Sequence, residues 1–143
     1  MIQEQKDLLL KDLCARLPYG IICEDAYGNA LELNGIDKPN TATFKCSDNT
    51  FWTTDLDKCK PYLFPLSSMT EEQYKEWCDL ESEPLDDILT RNANGENLST
   101  LEHHLLIAKS LTDSANYCYK NHFDIYGLIP MGLALDATGL NIY

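Results

Sequence analysis

The sequence predicts an α+β fold: an N-terminal helix, then a small antiparallel sheet or SH3-like barrel, then two to three helices that pack on it. Two observations support this prediction. Between residues 19 and 64, short runs of alternating apolar and polar residues are separated by turn residues, which is typical of antiparallel strands. On both sides of that region, apolar residues recur every three or four positions, as in amphipathic helices. The length of 143 residues suits one domain, so we predict a single domain over residues 1–143.

The first 18 residues are predicted to contain the N-terminal helix, which Pro18 ends. Its apolar stripe recurs at helical spacing and consists of Leu10, Leu13, Cys14 and Leu17. Asp12 and Arg16 lie four residues apart with the acid first, which is the favourable order for an ion pair along a helix.

Residues 19–64 are predicted to be mainly β, with four to five short strands. The segments with strand character are residues 19–24, 30–33, 41–46, 50–54 and 62–64. The turns between them are too short for crossover connections, so we expect an antiparallel meander and no parallel pairing.

Residues 65–143 are predicted to be mainly helical, and the segment from Lys60 to Glu71 joins them to the β part. Two prolines stiffen this segment, and Ser68 and Glu71 have the S-x-x-E spacing of a capping box. We therefore predict that a helix begins there.

The first helix of this part is predicted over residues 69–81, and Pro84 is predicted to break it. We expect its inward side chains to be Tyr74, Trp77 and Cys78. A short helical turn follows at residues 85–89, and a loop covers residues 92–97.

The last predicted helix begins at a second capping box, formed by Ser99 and Glu102, and extends to about Asn121 with a break favoured near Thr112. Its predicted apolar stripe consists of Leu101, Leu105, Ala108, Leu111, Ala115, Cys118 and His122. The remaining residues are apolar but interrupted by glycine and proline, which predicts an irregular C-terminal tail.

The net charge of −12 is concentrated in residues 71–90, where eight acids accompany one lysine and contribute −7. These acids form the predicted interaction face: Glu71, Glu72, Glu76, Asp79, Glu81, Glu83, Asp86 and Asp87. Their field repels phosphate, so direct binding of nucleic acid is disfavoured. The face is expected either to attract a basic protein surface or to act only in keeping the protein in solution.

The six cysteines are predicted to be reduced and mostly buried, since no C-x-x-C spacing occurs. Glu102, His103 and His104 are adjacent on a helix and cannot converge on one metal ion, so we predict a partly buried His104 beside an exposed His103. We predict no metal site and no cofactor.

Cys118 and His122 are the one pair with a spacing that suits catalysis or half a metal site, because residues four apart share a helix face and Asp124 follows closely. The alternative is that both are core positions. No catalytic frame occurs, so we predict that the protein is not an enzyme.

Three stretches of the chain carry a resemblance to a known family: Leu9–Gly20, Lys60–Glu71 and His122–Leu135. Together they resemble a family of small uncharacterised proteins that are encoded by phages and mobile elements of gut anaerobic bacteria. The resemblance implies an accessory protein of such an element and carries no site residue with it.

Three functions follow as hypotheses. The first is a non-enzymatic protein-interaction or accessory protein. The second is an acidic mimic of nucleic acid that inhibits a host defence or nucleic-acid-binding protein. The third is a small-ligand binder with a pocket between the sheet and the helices, near Cys118 and His122. No stretch is long and apolar enough for a membrane span, and Glu4 and Asp7 stand where a signal peptide would be basic or apolar, so we expect a cytoplasmic protein with no membrane partner.

Overall fold

The structure is a computed structural model that describes residues 1–37, 40–96 and 98–143. The side chains of residues 83–85 lie outside the description, and with them that of Glu83 in the predicted interaction face. The predicted α+β class is confirmed.

The chain divides into two compact units, and the division falls inside the predicted joining segment. Unit 1 consists of Met1–Ser68 and Tyr119–Tyr143. Unit 2 consists of Met69–Cys118.

Unit 1 contains helix α1, Gln3–Arg16, and an open six-stranded sheet with the order β4-β3-β2-β1-β5-β6. The strands are β1 (Ile22–Glu24), β2 (Ala30–Asp37), β3 (Thr41–Lys45), β4 (Phe51–Asp55), β5 (Lys60–Leu63) and β6 (Leu135–Asp136). The first four form the predicted antiparallel meander, and β5 returns to pair with β1. The alternative of a closed barrel is wrong, because the described strands β4 and β6 lie at opposite edges.

Every pairing among β1 to β5 is antiparallel, as predicted for residues 19–64, and the C-terminal tail adds a parallel pair, since β6 pairs parallel to β5. The connection between these strands runs through both later helices, which gives it the length that a parallel crossover needs. Beside this pair, Phe64 N donates to His122 O at 2.9 Å and Ala137 N donates to Leu63 O at 2.8 Å. The tail predicted to be irregular thus supplies an edge strand.

The core of unit 1 lies between α1, the sheet and the tail. Its fully buried members include Leu9, Leu13, Phe44, Leu63 and Leu128. The predicted stripe of α1 is fully buried at Leu13 and half-buried against the core at Leu10 and Leu17, and it is wrong at Cys14, which is exposed. The fully buried face consists of Leu9, Asp12, Leu13 and Arg16. The face is displaced because the Asp12–Arg16 pair is itself buried.

Unit 2 is built from α2 (Glu71–Ala93) and the part of α3 (Thr100–Lys120) that precedes Tyr119. The cap predicted for α2 is wrong by two residues: Thr70 N donates to Gln73 Oε1 at 2.9 Å, and Gln73 N donates to Thr70 Oγ1 at 3.2 Å. Ser68 ends a short 3₁₀ turn instead.

The capping box predicted for α3 is present. Ser99 N donates to Glu102 Oε2 at 2.6 Å, and Glu102 N donates to Ser99 Oγ at 3.2 Å. The break favoured near Thr112 is wrong, since α3 is continuous and Thr112 Oγ1 donates back to Ala108 O at 2.9 Å. The loop predicted over residues 92–97 shortens to a turn at Asn94 and Gly95, and Asn97 lies outside the described residues.

The break predicted at Pro84 is wrong as well, because α2 continues through it and includes the segment 85–89. Proline lacks the N–H that would bond the carbonyl of Leu80, four residues earlier. Ser110 Oγ of α3 donates to Leu80 O at 2.8 Å and approaches Glu81 O at 3.3 Å. A serine on the neighbouring helix thus supplies the hydrogen bond that Pro84 cannot make.

Candidate functional site: the apolar row of unit 2

Helix α3 exposes the leucines that its periodicity predicts to be buried. Leu101, Leu105 and Leu111 are 67%, 59% and 61% exposed. We call these three side chains, together with Ile107, the apolar row. The buried positions of α3 within unit 2 are Ser110, Ser114 and Cys118. The predicted stripe is therefore wrong at its leucines.

Polar side chains hold the interior of unit 2 together. Trp77 Nε1 donates to Ser114 Oγ at 2.6 Å, and Ser114 Oγ donates to Glu81 Oε1 at 3.0 Å. Tyr74, which was predicted to point inward, is 57% exposed. The hydroxyls of Ser110 and Ser114 thus face the interior of unit 2, whereas Leu101, Leu105 and Leu111 lie on its exposed side.

A groove of about 290 Å³ runs beside this interior, between α2 and α3. Its lining residues are Glu81, Ile88, Ile107, Ser110 and Leu111. Ile107 and Leu111 are four residues apart, so they stand next to each other on one side of α3. Two members of the apolar row, Ile107 and Leu111, therefore line a concave surface, with the Glu81 carboxylate as its acidic group.

The acids predicted as an interaction face separate into two groups. Glu76 accepts from Tyr117 Oη at 2.8 Å, Glu81 accepts from Ser114, and Asp87 lies 3.2 Å from Arg91 Nε. Burial and the Glu76 carboxylate raise the pKa of Tyr117 to about 12. These acids help to hold unit 2 together.

The second group is exposed and has no ion-pair partner among the described residues; it consists of Glu71, Glu72, Asp79 and Asp86. Glu72, Asp79 and Asp86 recur every seven residues, which places them on one face of α2. Part of the predicted acidic face is therefore open to solvent.

Cys118 and His122 do not share a helix face, because α3 ends at Lys120 and His122 has a left-handed backbone with φ 59°. Both residues are buried. The i,i+4 geometry on which a dyad or half a metal site depended is absent, and their use as core positions stays a prediction.

The histidines at the start of α3 are reversed relative to the prediction. His103 is partly buried and His104 is exposed. No described residue hydrogen-bonds the buried Nε2 of His103. Among the described residues, no group of three or more histidine, cysteine or acidic side chains is placed to hold a metal ion.

The Asp12–Arg16 pair, which the spacing in the sequence predicts, is buried inside unit 1, and the sequence does not indicate that burial. Arg16 Nε donates to Asp12 Oδ2 at 2.7 Å and Arg16 Nη2 donates to Asp12 Oδ1 at 2.9 Å, with both side chains fully buried. Arg16 Nη2 also donates to Phe123 O at 2.7 Å, and the guanidinium lies 5.1 Å from the ring of Tyr119. The pair joins α1 to the C-terminal segment.

His122 stacks on Tyr143 beside this pair, with ring centroids 3.8 Å apart and planes inclined by 9°. Tyr143 Oη donates to Tyr62 O at 2.7 Å. Burial, and to a smaller extent the positive charge of the nearby Arg16 guanidinium, lowers the pKa of His122 to about 4. His122 is therefore neutral at physiological pH and packs as an aromatic ring.

The six cysteines form no disulfide. Three of them, Cys23, Cys59 and Cys118, are buried, so the prediction of mostly buried thiols holds for half the set. Burial, with the neighbouring Cys59 thiol, raises the pKa of Cys23. Such a thiol behaves as a small apolar group.

None of the described helices is both long enough and apolar enough to cross a membrane. Unit 2 exposes both apolar and acidic side chains, namely the apolar row and the acids Glu71, Glu72, Asp79 and Asp86.

No family model, no curated protein and no solved structure matches the chain.

Proposed function

We propose that the protein is a non-enzymatic interaction module that binds a partner protein through the apolar row and groove of unit 2. The observation that carries this proposal is the inversion of α3: three of its four leucines are exposed, namely Leu101, Leu105 and Leu111, while its serines are buried. Contiguous exposed apolar side chains cost free energy in water, and they are retained where a partner covers them.

The partner that fits this surface is an amphipathic helix with an apolar stripe and flanking basic residues. The groove lies along two helices, which suits recognition of a helix by its i, i+3, i+4 and i+7 side chains. Glu81 lines the groove, and residues 71–90 carry a net charge of −7. Basic residues on the partner would speed association and set its orientation.

The proposal can be tested by substitution in the apolar row. Leu105→Asp and Leu111→Asp place a charge at the centre of the surface and remove its apolar contacts. We expect each to weaken partner binding about tenfold or more, as at interface hot spots. Quantitative mass spectrometry compares the proteins that wild type captures with those that each variant captures. Calorimetry then measures the affinity of the purified partner for wild type and for each variant.

Asn116→Asp is the matched control, because it adds the same charge to an exposed polar position of α3. It should leave binding unchanged. A partner that binds Leu105→Asp, Leu111→Asp and wild type equally well contradicts the proposal, provided that circular dichroism shows all three to be folded.

The second candidate function is the acidic mimic, and the exposed row of Glu72, Asp79 and Asp86 favours it. Reversing these three charges to lysine should abolish binding of a basic partner while changing the unfolding free energy by only about 0.5 kcal/mol each, as for other surface changes. Binding that depends on these acids and not on Leu105 or Leu111 would assign the function to the mimic.

The resemblance described above extends the proposal to an accessory role in a phage or mobile element. Co-expression of the module with the nucleic-acid-binding proteins of the host, scored for partner capture, tests that role.

A further inference from the structure

Strand β4 forms one edge of the sheet in unit 1, and no described strand pairs with its outer side. Four of its five residues are exposed, including the aromatic side chains of Phe51 and Trp52. Trp52 also meets the exposed ring of Tyr27, 5.6 Å away and inclined by 60°. Two exposed aromatic side chains, with a third beside them, thus stand at an open edge.

The hydrogen bonds at the two ends of the β3–β4 ladder establish which backbone groups point outward. Cys46 N donates to Thr50 O at 2.9 Å, and Leu56 N donates to Asn40 O at 2.8 Å. Hydrogen-bonded pairs alternate in an antiparallel ladder, so Trp52 and Thr54 also direct their backbone groups at β3. Phe51, Thr53 and Asp55 therefore direct their N–H and C=O groups away from β3.

This edge lacks the features that usually prevent strand addition. Its register with β3 is regular over five consecutive pairs, and the sequence Phe-Trp-Thr-Thr-Asp contains no lysine, proline or glycine. Natural edges are protected by bulges, prolines or lysines. Asp55, the one charged residue, lies 3.2 Å from Lys58 of its own chain.

We propose that β4 pairs antiparallel with β4 of a second copy of this chain, about a two-fold axis at Thr53. In this register Thr53 lies opposite Thr53 of the second copy, and their outward N–H and C=O groups bond each other. Trp52 lies opposite Thr54, and Phe51 lies opposite Asp55. Aromatic–Thr and Thr–Thr neighbours are favourable cross-strand pairs.

Charge favours a second copy over a basic or acidic partner at this edge. The charged residues on and next to β4 are Lys45, Asp48, Asp55, Asp57 and Lys58, and Asp57 is paired with Lys6, so three acids accompany three bases. Two such edges meet without net local repulsion, although the whole chain carries −12. Pairing also covers part of the surface of Phe51 and Trp52 that is exposed in the single chain.

The test is the mass of the purified protein in analytical ultracentrifugation as a function of concentration. We expect wild type to shift from the monomer mass of 16.2 kDa towards twice that value as concentration rises. Thr53→Pro removes the outward N–H and spares the β3–β4 ladder, since edge strands tolerate proline at such positions. It should stay monomeric with an unchanged circular dichroism spectrum, whereas the control Thr53→Ala should dimerise like wild type.

Thr53→Cys supplies a second measurement, because facing residues of a hydrogen-bonded pair lie within disulfide reach. With oxidised glutathione as oxidant, we expect mass spectrometry to find a disulfide that links the substituted positions of the two copies. Wild type that remains monomeric at millimolar concentration overturns the proposal. A dimer that survives Thr53→Pro but is lost in Leu105→Asp overturns it too, and assigns self-association to unit 2.

Discussion

Units 1 and 2 bury opposite kinds of side chain. Unit 1 encloses a continuous apolar cluster that includes Leu9, Leu13 and Phe44, and it pairs its one fully buried arginine with an acid. Unit 2 buries Ser110 and Ser114 among its described residues and leaves Leu101, Leu105 and Leu111 exposed. Unit 1 therefore has a continuous apolar core, whereas two of the three buried residues of α3 in unit 2 are serines.

The largest change in the free energy of unfolding is expected when Arg16 is substituted. Arg16→Met leaves the buried Asp12 carboxylate without its partner, and breaking a buried pair in this way costs about 3–5 kcal/mol. Asp12→Leu combined with Arg16→Met removes both charges and should recover most of this loss. Urea unfolding followed by circular dichroism measures both. Lys58→Ala breaks an exposed ion pair as the control and should cost less than about 1 kcal/mol.

A matched pair of leucines tests the comparison directly. Leu13→Ala opens a cavity in the core of unit 1 and should cost about 2–5 kcal/mol. The same change at Leu105 removes side-chain atoms that are already in water and should alter stability by only about 0.5 kcal/mol. Equal losses of unfolding free energy for the two variants would show that unit 2 has a core of its own.

His122 gives unit 1 a pH dependence. Its pKa is about 4 in the folded chain and 6.5 in the unfolded one, so the unfolded state binds more protons between these values. The contribution of His122 to the unfolding free energy is therefore fully present above pH 6.5 and is lost as the pH drops to 4, by at most about 3 kcal/mol.

His122→Asn is the variant for this test, because asparagine accepts the positive φ at that position. It loses the stack on Tyr143, but its stability should depend less on pH than that of wild type over this range. Parallel pH profiles of wild type and variant, measured by urea unfolding, would contradict the assignment.

The smallest change in the free energy of unfolding is expected at Ser110, which donates a hydrogen bond to α2 next to Pro84. Ser110→Ala leaves the Leu80 carbonyl without its donor and should cost about 1 kcal/mol. In a Pro84→Ala background, residue 84 regains its N–H, so the same change should cost less. A double-mutant cycle measures this coupling. Additive effects would show that Ser110 does not replace the missing N–H.

The sequence predicts the local elements of unit 1 well, for reasons that lie within each element. Alternation and turn residues place β1 to β5, and apolar periodicity with Pro18 places α1. Strand β6 could not be predicted, because its partner β5 lies far away in the sequence. The buried Arg16 was missed for a related reason: charged residues are counted as surface unless a remote partner, here Phe123 O, is known.

Unit 2 shows where periodicity misleads. The leucines of α3 repeat as they would on a buried face, and nothing local shows that Ser110 and Ser114 occupy that position. Likewise, Pro84 predicts a break that does not occur. The sequence could not show this, because the compensating donor, Ser110, lies on another helix. Of the candidate site, the sequence therefore predicts the acidic residues but not the exposure of the apolar row.

Native-state hydrogen exchange, resolved by peptide mass spectrometry, tests the central contrast most directly. Local opening is expected to require less free energy where few apolar contacts are broken. We predict that amides of α1 and of the central strands β1, β2 and β5 exchange only with global unfolding, while those of α2 and of α3 up to Cys118 exchange through lower-energy local openings. Equal protection of the two units in the isolated protein would contradict the account.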